Sequence, residues 1–245
     1  MKSYKNNLDN IIDRLIIDVN STFMKLLAAS TMYELGQETL SQIDNKVSIS
    51  PKVGINLHIE PIPIVDIKKF RDDYPYFLSE VFHGKLVQLW NNCLHDIFSL
   101  FIDFHFTWKR NFKELGKHSI KLDFSSDENF YSQIQNRIID DFDFEKYRYR
   151  EKLINKILNL NDVGRDELAA IHKNVLIRNA IQHKNGVIDS YTLKELGSSQ
   201  IKILDMNGKL KVYKENDKIL LSIPEIYSFK SSILSIGQIW RVNDD

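Results

Sequence analysis

Three polar residues near the end of a predicted helix have types and a spacing that suit chemistry on phosphate. Arg178, Asn179 and His183 lie within residues 175–186. Asn179 and His183 are four residues apart and therefore share one helix face, where the amide can orient the ring. Arg178 lies roughly 140° from His183 around an ideal helix. The two side chains converge only if Arg178 curls round the helix or if two copies meet across a dimer axis.

The three residue types suit the cleavage of RNA. A guanidinium binds phosphate in a planar, bidentate way and stabilises the charge that develops in a phosphorane-like transition state. A histidine can take a proton from a ribose 2′-hydroxyl near neutral pH, or give one to the leaving 5′-oxygen. Because the nucleophile belongs to the substrate, no metal is needed, and the products would carry a 2′,3′-cyclic phosphate and a 5′-hydroxyl. One histidine is poorly suited to act as both base and acid, which favours a dimer that supplies two.

The same residues also have a simpler interpretation. Cationic side chains near the C-terminus of a helix are favoured by the helix dipole and need no further role. Lys184 is typical of that kind of residue, and Arg178 and His183 fit the same description. The alternative to a site is therefore a helix end stabilised by its own cations.

Four further polar residues are candidates for supporting roles. His172 could contact phosphate or act as a base, although a partly exposed helical histidine is the simpler interpretation. Asn174 lies four residues before Arg178 and could steer it, or it could be solvated. His95 and Asp96 interrupt a very apolar segment and could reach the same cleft, or they could lie at the edge of the core.

Other kinds of site find little support in the sequence. The spacing of His83, His95 and His105 matches no pair of metal ligands on one helical turn, and His-x-x-x-His is absent. There is no Gly-rich phosphate loop, no Gly-x-Ser-x-Gly elbow and only one cysteine, Cys93. We therefore expect neither a metal nor a cofactor. A basic run at residues 109–121 could hold an RNA backbone or form a solvated loop, and an acidic run at 140–145 offsets it.

Composition limits the class of protein. The chain has 245 residues, and its 33 basic side chains balance 33 acidic ones, so nucleic acid would have to bind at a local basic patch. We expect no secretory signal and no membrane span, because charged residues interrupt every apolar stretch. The cytoplasm is the expected compartment.

The hydrophobic periodicity predicts a mainly α-helical bundle with a small β-hairpin before its last helix. Asn207-Gly208 predicts the hairpin turn, Pro224 opens the last helix, and Asn185-Gly186 ends the helix that carries the three polar residues. Residues 1–65 are predicted to be an N-terminal helix and an extended connector, and residues 66–245 the main domain. The predicted helices cover residues 8–40, 64 onward, 76–109, 127–139, 144–160, 165–184 and 224–240, with a hairpin region at about 199–223.

The pattern Arg178-Asn179-x-x-x-His183 resembles the R-N-x-x-x-H signature of the HEPN superfamily (higher eukaryotes and prokaryotes nucleotide-binding). The layout of residues 66–245 is also similar, while residues 1–65 are outside the resemblance. The resemblance implies a homodimer with an RNA-cleaving cleft between its subunits, and metal-independent endoribonuclease activity. It also implies a role as a toxin, a phage-defence effector or an RNA-processing factor, with an antitoxin or regulatory protein as a further partner.

Three functions remain open on the sequence alone. The first is an endoribonuclease that uses Arg178, Asn179 and His183. The second is a module of the same fold that binds RNA, a nucleotide or a protein without cutting. The third is a helical interaction protein in which the motif is accidental. Dimerisation with Arg178 and His183 facing a shared open groove would favour the first two, and burial of either within one subunit would favour the third.

Overall fold

The structure is a computed structural model that describes residues 2–51, 60–73, 76–107, 109–125, 127–160 and 163–242. It is mainly helical, as the sequence predicts. The helices are α1 (Lys2–Ser41), α2 (Ile64–Asp73), α3 (Phe77–Phe106), α4 (Phe130–Phe144), α5 (Tyr147–Ile157), α6 (Arg165–Lys184), α7 (Ser190–Leu196) and α8 (Ile223–Val242), with a 3₁₀ turn at Lys113–Leu115. The strands are β1 (Ser48–Ile49), β2 (Ile62–Pro63), β3 (Ile201–Leu204) and β4 (Leu210–Tyr213).

Helix α3 lies at the centre of the bundle. It packs against α1, α4, α5, α6 and α8. A helix enclosed on several sides must be apolar around most of its circumference, and α3 is. Its fully enclosed residues include Leu86, Trp90, Leu94, Ile97, Phe98, Phe101 and Ile102. The ring of Trp90 stacks on Trp240 of α8 with centroids 5.1 Å apart.

Helix α1 is part of the same core. Residues at three- and four-residue intervals form one buried stripe, which faces α3 and α8. The stripe consists of Tyr4, Leu8, Ile12, Leu15, Val19, Phe23 and Leu26. After α1, the predicted connector contains the two-residue strands β1 and β2, which pair antiparallel, and α2 begins at Ile64. The positions Ile55, Leu57 and Ile59, on which the extended connector was predicted, lie outside the described residues, and the division at residue 65 stays a prediction.

The predicted hairpin is confirmed and its extent is refined. Strands β3 and β4 pair antiparallel from Ile201 with Tyr213 to Leu204 with Leu210. Gly208 in the connecting turn has a φ of +73°, a left-handed conformation that glycine adopts without steric cost. The hairpin region was predicted to reach residue 223, but residues 218–223 form no third strand. Lys218 makes a single antiparallel bridge to Val187 instead.

Two local features differ from the sequence prediction. Helix α4 was predicted over residues 127–139 but begins at Phe130, where Asn129 caps it by accepting a hydrogen bond from the backbone N–H of Ser132. Helix α7 was not predicted, because seven residues are too few for a periodic signal. It is defined by its ends, where Asp189 accepts a hydrogen bond from the Thr192 N–H and Gly197 adopts a left-handed conformation.

No helix within the described residues has both the length and the apolar character that crossing a membrane demands.

The start of α6 depends on a glycine. Gly164 has a φ of +71°, and a Cβ added there would lie 2.6 Å from Cδ1 of Ile236 in α8. We expect Gly164→Ala to lower the free energy of unfolding by about 1–2 kcal/mol, because a side chain is strained in this conformation. Urea unfolding monitored by circular dichroism measures the change.

Gly36→Ala is the matched control. Gly36 lies in the exposed part of α1, and no atom lies within 4 Å of an added Cβ. This substitution should raise the free energy of unfolding by up to about 1 kcal/mol, because alanine favours the helix. Equal effects of the two substitutions would contradict the role assigned to Gly164.

Candidate active site at the end of helix α6

The end of α6 is fixed to the segment that follows the hairpin. Asn185 and Gly186 both adopt left-handed conformations, with φ values of +51° and +80°. The backbone N–H of Gly186 donates to the carbonyl of Ala180 (3.0 Å), and the carbonyl of Gly186 accepts from the N–H of Ile219 (2.9 Å). The predicted helix end is therefore confirmed, and the last turn of α6 has a defined position.

Arg178 and Asn179 are in contact. The guanidinium Nη1 of Arg178 donates a hydrogen bond to Oδ1 of Asn179 over 3.1 Å. Asn179 and His183 are exposed, whereas Arg178 is half-buried. Asn179 and His183 share one helix face, so this bond links the guanidinium to a residue of that face. The convergence of Arg178 and His183 themselves stays a prediction.

His183 makes no hydrogen bond to another described residue. The sequence predicted that Asn179 could orient the imidazole, but the amide oxygen of Asn179 instead accepts from Arg178. The ring of His183 is therefore exposed at the surface, beside an Arg–Asn pair whose geometry is already set. The Nε of Arg178 is buried and likewise has no partner among the described residues.

Behind Arg178 lies a fully buried histidine on α3. His83 Nε2 donates to Oδ1 of Asn174 over 2.9 Å, and its ring packs on Phe229. The pKa of His83 is lowered to about 4 by burial and by the nearby charges of Lys173 and Arg178, against the hydrogen bond that the ring donates to Asn174, which raises it. The imidazole is therefore neutral at physiological pH, with its second nitrogen, Nδ1, unprotonated.

Asn174 joins this histidine to a buried carboxylate. Its Nδ2 donates to the carbonyl of Ala170 (2.9 Å) and to Oε1 of Glu225 (3.3 Å). Glu225 is 1% exposed and pairs with Nζ of Lys173 at 2.6 Å. Its Oε2 accepts from the backbone N–H of Leu204 at the end of β3 (2.9 Å). The interpretation of Asn174 as solvated is therefore wrong, because the amide links α3, α6 and α8.

This network was not predicted from the sequence. The only local signal was the spacing of Asn174 four residues before Arg178, and it pointed to the wrong partner. His83 and Glu225 lie 91 and 51 residues from Asn174 along the chain, so no periodic pattern connects them. A buried polar group needs a partner, but sequence spacing does not identify one at this distance.

The other candidate side chains lie away from the three motif residues. His172 is buried and stacks on Tyr147 with centroids 5.4 Å apart, so the interpretation as partly exposed is wrong. His95 pairs with Asp143 of α4 at 2.7 Å, and Asp96 pairs with Arg14 of α1. No group of three or more His, Cys, Asp or Glu side chains in the described ranges could hold a metal ion.

The basic run after α3 is partly engaged with aromatic rings. The guanidinium of Arg110 lies 4.9 Å from the ring centroid of Tyr4 and 5.0 Å from that of Phe112. Lys109 lies 5.1 Å from the ring centroid of Phe104. The contact with Tyr4 attaches the loop to the start of α1 and the contact with Phe104 attaches it to the end of α3, which is a structural role.

No protein-family model, curated protein or solved structure matches this chain.

Removing the Asn174 amide tests the network. Asn174→Ala leaves the buried N–H of His83 and one oxygen of Glu225 without that partner, so we expect the free energy of unfolding to fall by about 2–4 kcal/mol. Chemical unfolding of the purified variant measures the change. Gln182→Ala, at an exposed position of the same helix, should change it by less than about 0.5 kcal/mol. If Asn174→Ala lowered the free energy of unfolding no more than Gln182→Ala does, the amide would not hold the helices together.

Proposed function

We propose that the protein is a metal-independent endoribonuclease whose site consists of Arg178, Asn179 and His183. The observation that carries the proposal is the hydrogen bond from Arg178 Nη1 to Asn179 Oδ1. It joins the guanidinium to Asn179, which shares a helix face with the exposed His183 at the end of a packed helix. The resemblance of the motif to the HEPN signature supports the same chemistry.

Each residue has a distinct role in this proposal. Arg178 binds the scissile phosphate and stabilises the charge that develops on it. Asn179 is a positioning residue, because its amide oxygen holds the guanidinium. His183 transfers a proton to or from the reacting oxygens. Attack by the ribose 2′-hydroxyl forms the bond to phosphorus as the bond to the 5′-oxygen breaks, which yields a 2′,3′-cyclic phosphate and a 5′-hydroxyl.

A homodimer completes the site. The reaction needs one group to remove the proton from the 2′-hydroxyl and another to protonate the leaving 5′-oxygen. One chain offers a single exposed histidine at this place, and a second copy related by a two-fold axis would supply the other. The exposure of Asn179 and His183 at the surface is what such an arrangement requires.

The cellular role belongs to the same proposal. A ribonuclease of this kind acts in the cytoplasm, where its RNA targets are, as a toxin or phage-defence effector. Such a ribonuclease must be inhibited until its activity is required, so an antitoxin or another regulatory protein is the expected partner. A non-catalytic module that binds RNA, a nucleotide or a protein through the same residues is the alternative.

RNA cleavage by the wild type and two variants tests the proposal. We expect the wild type to cut a mixed RNA substrate in EDTA and to leave cyclic-phosphate ends. Arg178→Ala and His183→Ala should each lower the rate by at least about a hundredfold, because each removes a group that acts in the transition state. Gel electrophoresis with end-group analysis gives the rates and the products.

Gln182→Ala, adjacent to His183 and exposed, should retain the wild-type rate. Equal residual activity in all four proteins would indicate a contaminating nuclease and exclude the proposed site. If all four are inert but bind RNA, the non-catalytic module becomes the better description.

Mixed dimers test whether two histidines share one cleft. Wild type and His183→Ala are unfolded together at equal amounts and refolded, so that subunits combine at random. If cleavage needs both histidines, about a quarter of the all-wild-type activity should remain, because only dimers with two wild-type chains are active. A value near one half would mean that each chain acts alone.

A further inference from the structure

A cleft between α5 and the first half of α6 is lined by cations that the proposed site does not use. Its volume is about 580 Å³, within the usual range for small-molecule sites. Arg148, Lys152 and Lys156 lie four residues apart along α5 and therefore project from one face. Arg165 adds a cation from α6.

The row on α5 costs the helix stability unless something offsets it. Like charges four residues apart destabilise a helix by a few tenths of a kcal/mol for each pair. Among the described residues, no carboxylate forms a salt bridge with Arg148, Lys152 or Lys156. All three are exposed. An anionic ligand would relieve their mutual repulsion.

The rest of the lining forms the floor of the cleft and includes the polar Glu151, Asn155 and His172 beside the apolar Leu160, Leu168 and Leu196. Nε1 of Trp240 donates to Oδ1 of Asn155 over 3.0 Å, which leaves the N–H₂ group of that amide for a ligand. Nε1 of Trp90 donates to the hydroxyl of Tyr147 over 3.0 Å. The ring of Tyr147 in turn stacks parallel to His172, at 4° between the planes. These contacts give Asn155 and His172 defined positions in the lining.

The floor is also largely uncharged. Burial raises the pKa of Glu151 to about 7, against the lowering effect of Arg148 and Lys152, so this carboxyl is partly protonated at neutral pH. Burial lowers the pKa of His172 to about 4, so its imidazole is neutral. The cations at the rim are therefore only partly neutralised from within the cleft.

We infer that this cleft binds a phosphate-bearing nucleotide. The rim cations match the phosphate, and the amide of Asn155, the partly protonated carboxyl of Glu151 and the imidazole of His172 match the hydrogen-bonding edges of a base or a ribose. A membrane surface does not fit, because the cations and the polar floor line a recess. The nucleotide is either free or part of an RNA strand.

The cleft lies along the same helix, α6, as the three motif residues, so the bound nucleotide can belong to an RNA strand that also reaches the motif. His172 and His183 are eleven residues apart and lie within about 20° of each other around α6, roughly 16 Å along its axis. A strand bound at the motif could therefore place a flanking nucleotide in the cleft. This placement rests on the proposed function, whereas nucleotide binding by the cleft does not.

Binding to the full chain carrying His183→Ala, which leaves RNA uncut, tests the inference. The probes are AMP, inorganic phosphate and a labelled single-stranded RNA of about twelve nucleotides. Arg148→Glu with Lys152→Glu should weaken binding of AMP or RNA by roughly tenfold or more, because two phosphate contacts become repulsive. Arg148→Gln with Lys152→Gln should give a smaller loss in the same direction.

Lys209→Glu with Lys214→Glu makes the same charge change on the exposed hairpin and should alter affinity by less than about twofold. Thermal unfolding shows that each variant is folded. If AMP binds and its binding is lost only in the α5 variants, the ligand of the cleft is a free nucleotide. If only RNA binds and its binding is lost only in the α5 variants, the ligand is a nucleotide within an RNA strand.

If no probe binds, if only inorganic phosphate does, or if both pairs of variants behave alike, the inference is overturned. Cleavage is measured separately. Loss of binding in the α5 variants of a protein that never cuts RNA would leave the cleft assigned and reject the nuclease. RNA cleavage by the wild type, together with unchanged binding in the α5 variants, would support the nuclease and reject the assignment of the cleft.

Discussion

The buried amide of Asn174 holds together the part of the bundle on which the candidate site depends. Its oxygen accepts from His83 of α3 and its nitrogen donates to Glu225 of α8, so one side chain of α6 fixes that helix against two others. Arg178 follows one turn later on the same helix. Because a buried amide or carboxylate without a partner is costly, this polar contact specifies the position of α6 more narrowly than apolar packing alone does.

Much of the architecture was predictable because it is local. The buried stripe of α1, the enclosed α3 and the Asn207-Gly208 hairpin all follow from intervals of two, three or four residues. Helix α7 was missed because its ends, at Asp189 and Gly197, define it better than its short middle does. The motif residues were found by type and spacing, but their geometry depends on His83 and Glu225, which lie far away in the sequence. Spacing cannot identify such partners.

A chain without net charge can still carry local groups of cations. Some basic side chains pair with a carboxylate: Lys146 with Glu195, Lys184 with Asp189 and Lys173 with Glu225. The row on α5 has no such salt bridge among the described residues, and nearby Glu151 is half-buried and only partly charged. Local desolvation of one carboxyl can thus create a positive recess in a protein without net charge.

The long sequence separations in the Asn174 network set an order of events during synthesis. His83 and α3 leave the ribosome well before α6, but Glu225 follows Asn174 by 51 residues. Until that carboxylate has been translated, the amide lacks one of its buried partners and Lys173 lacks its counter-ion. The packed form of α6 is therefore completed late, after both β3 and β4 have been made. A nascent chain that has reached only the motif carries the three residues without the framework that fixes their positions.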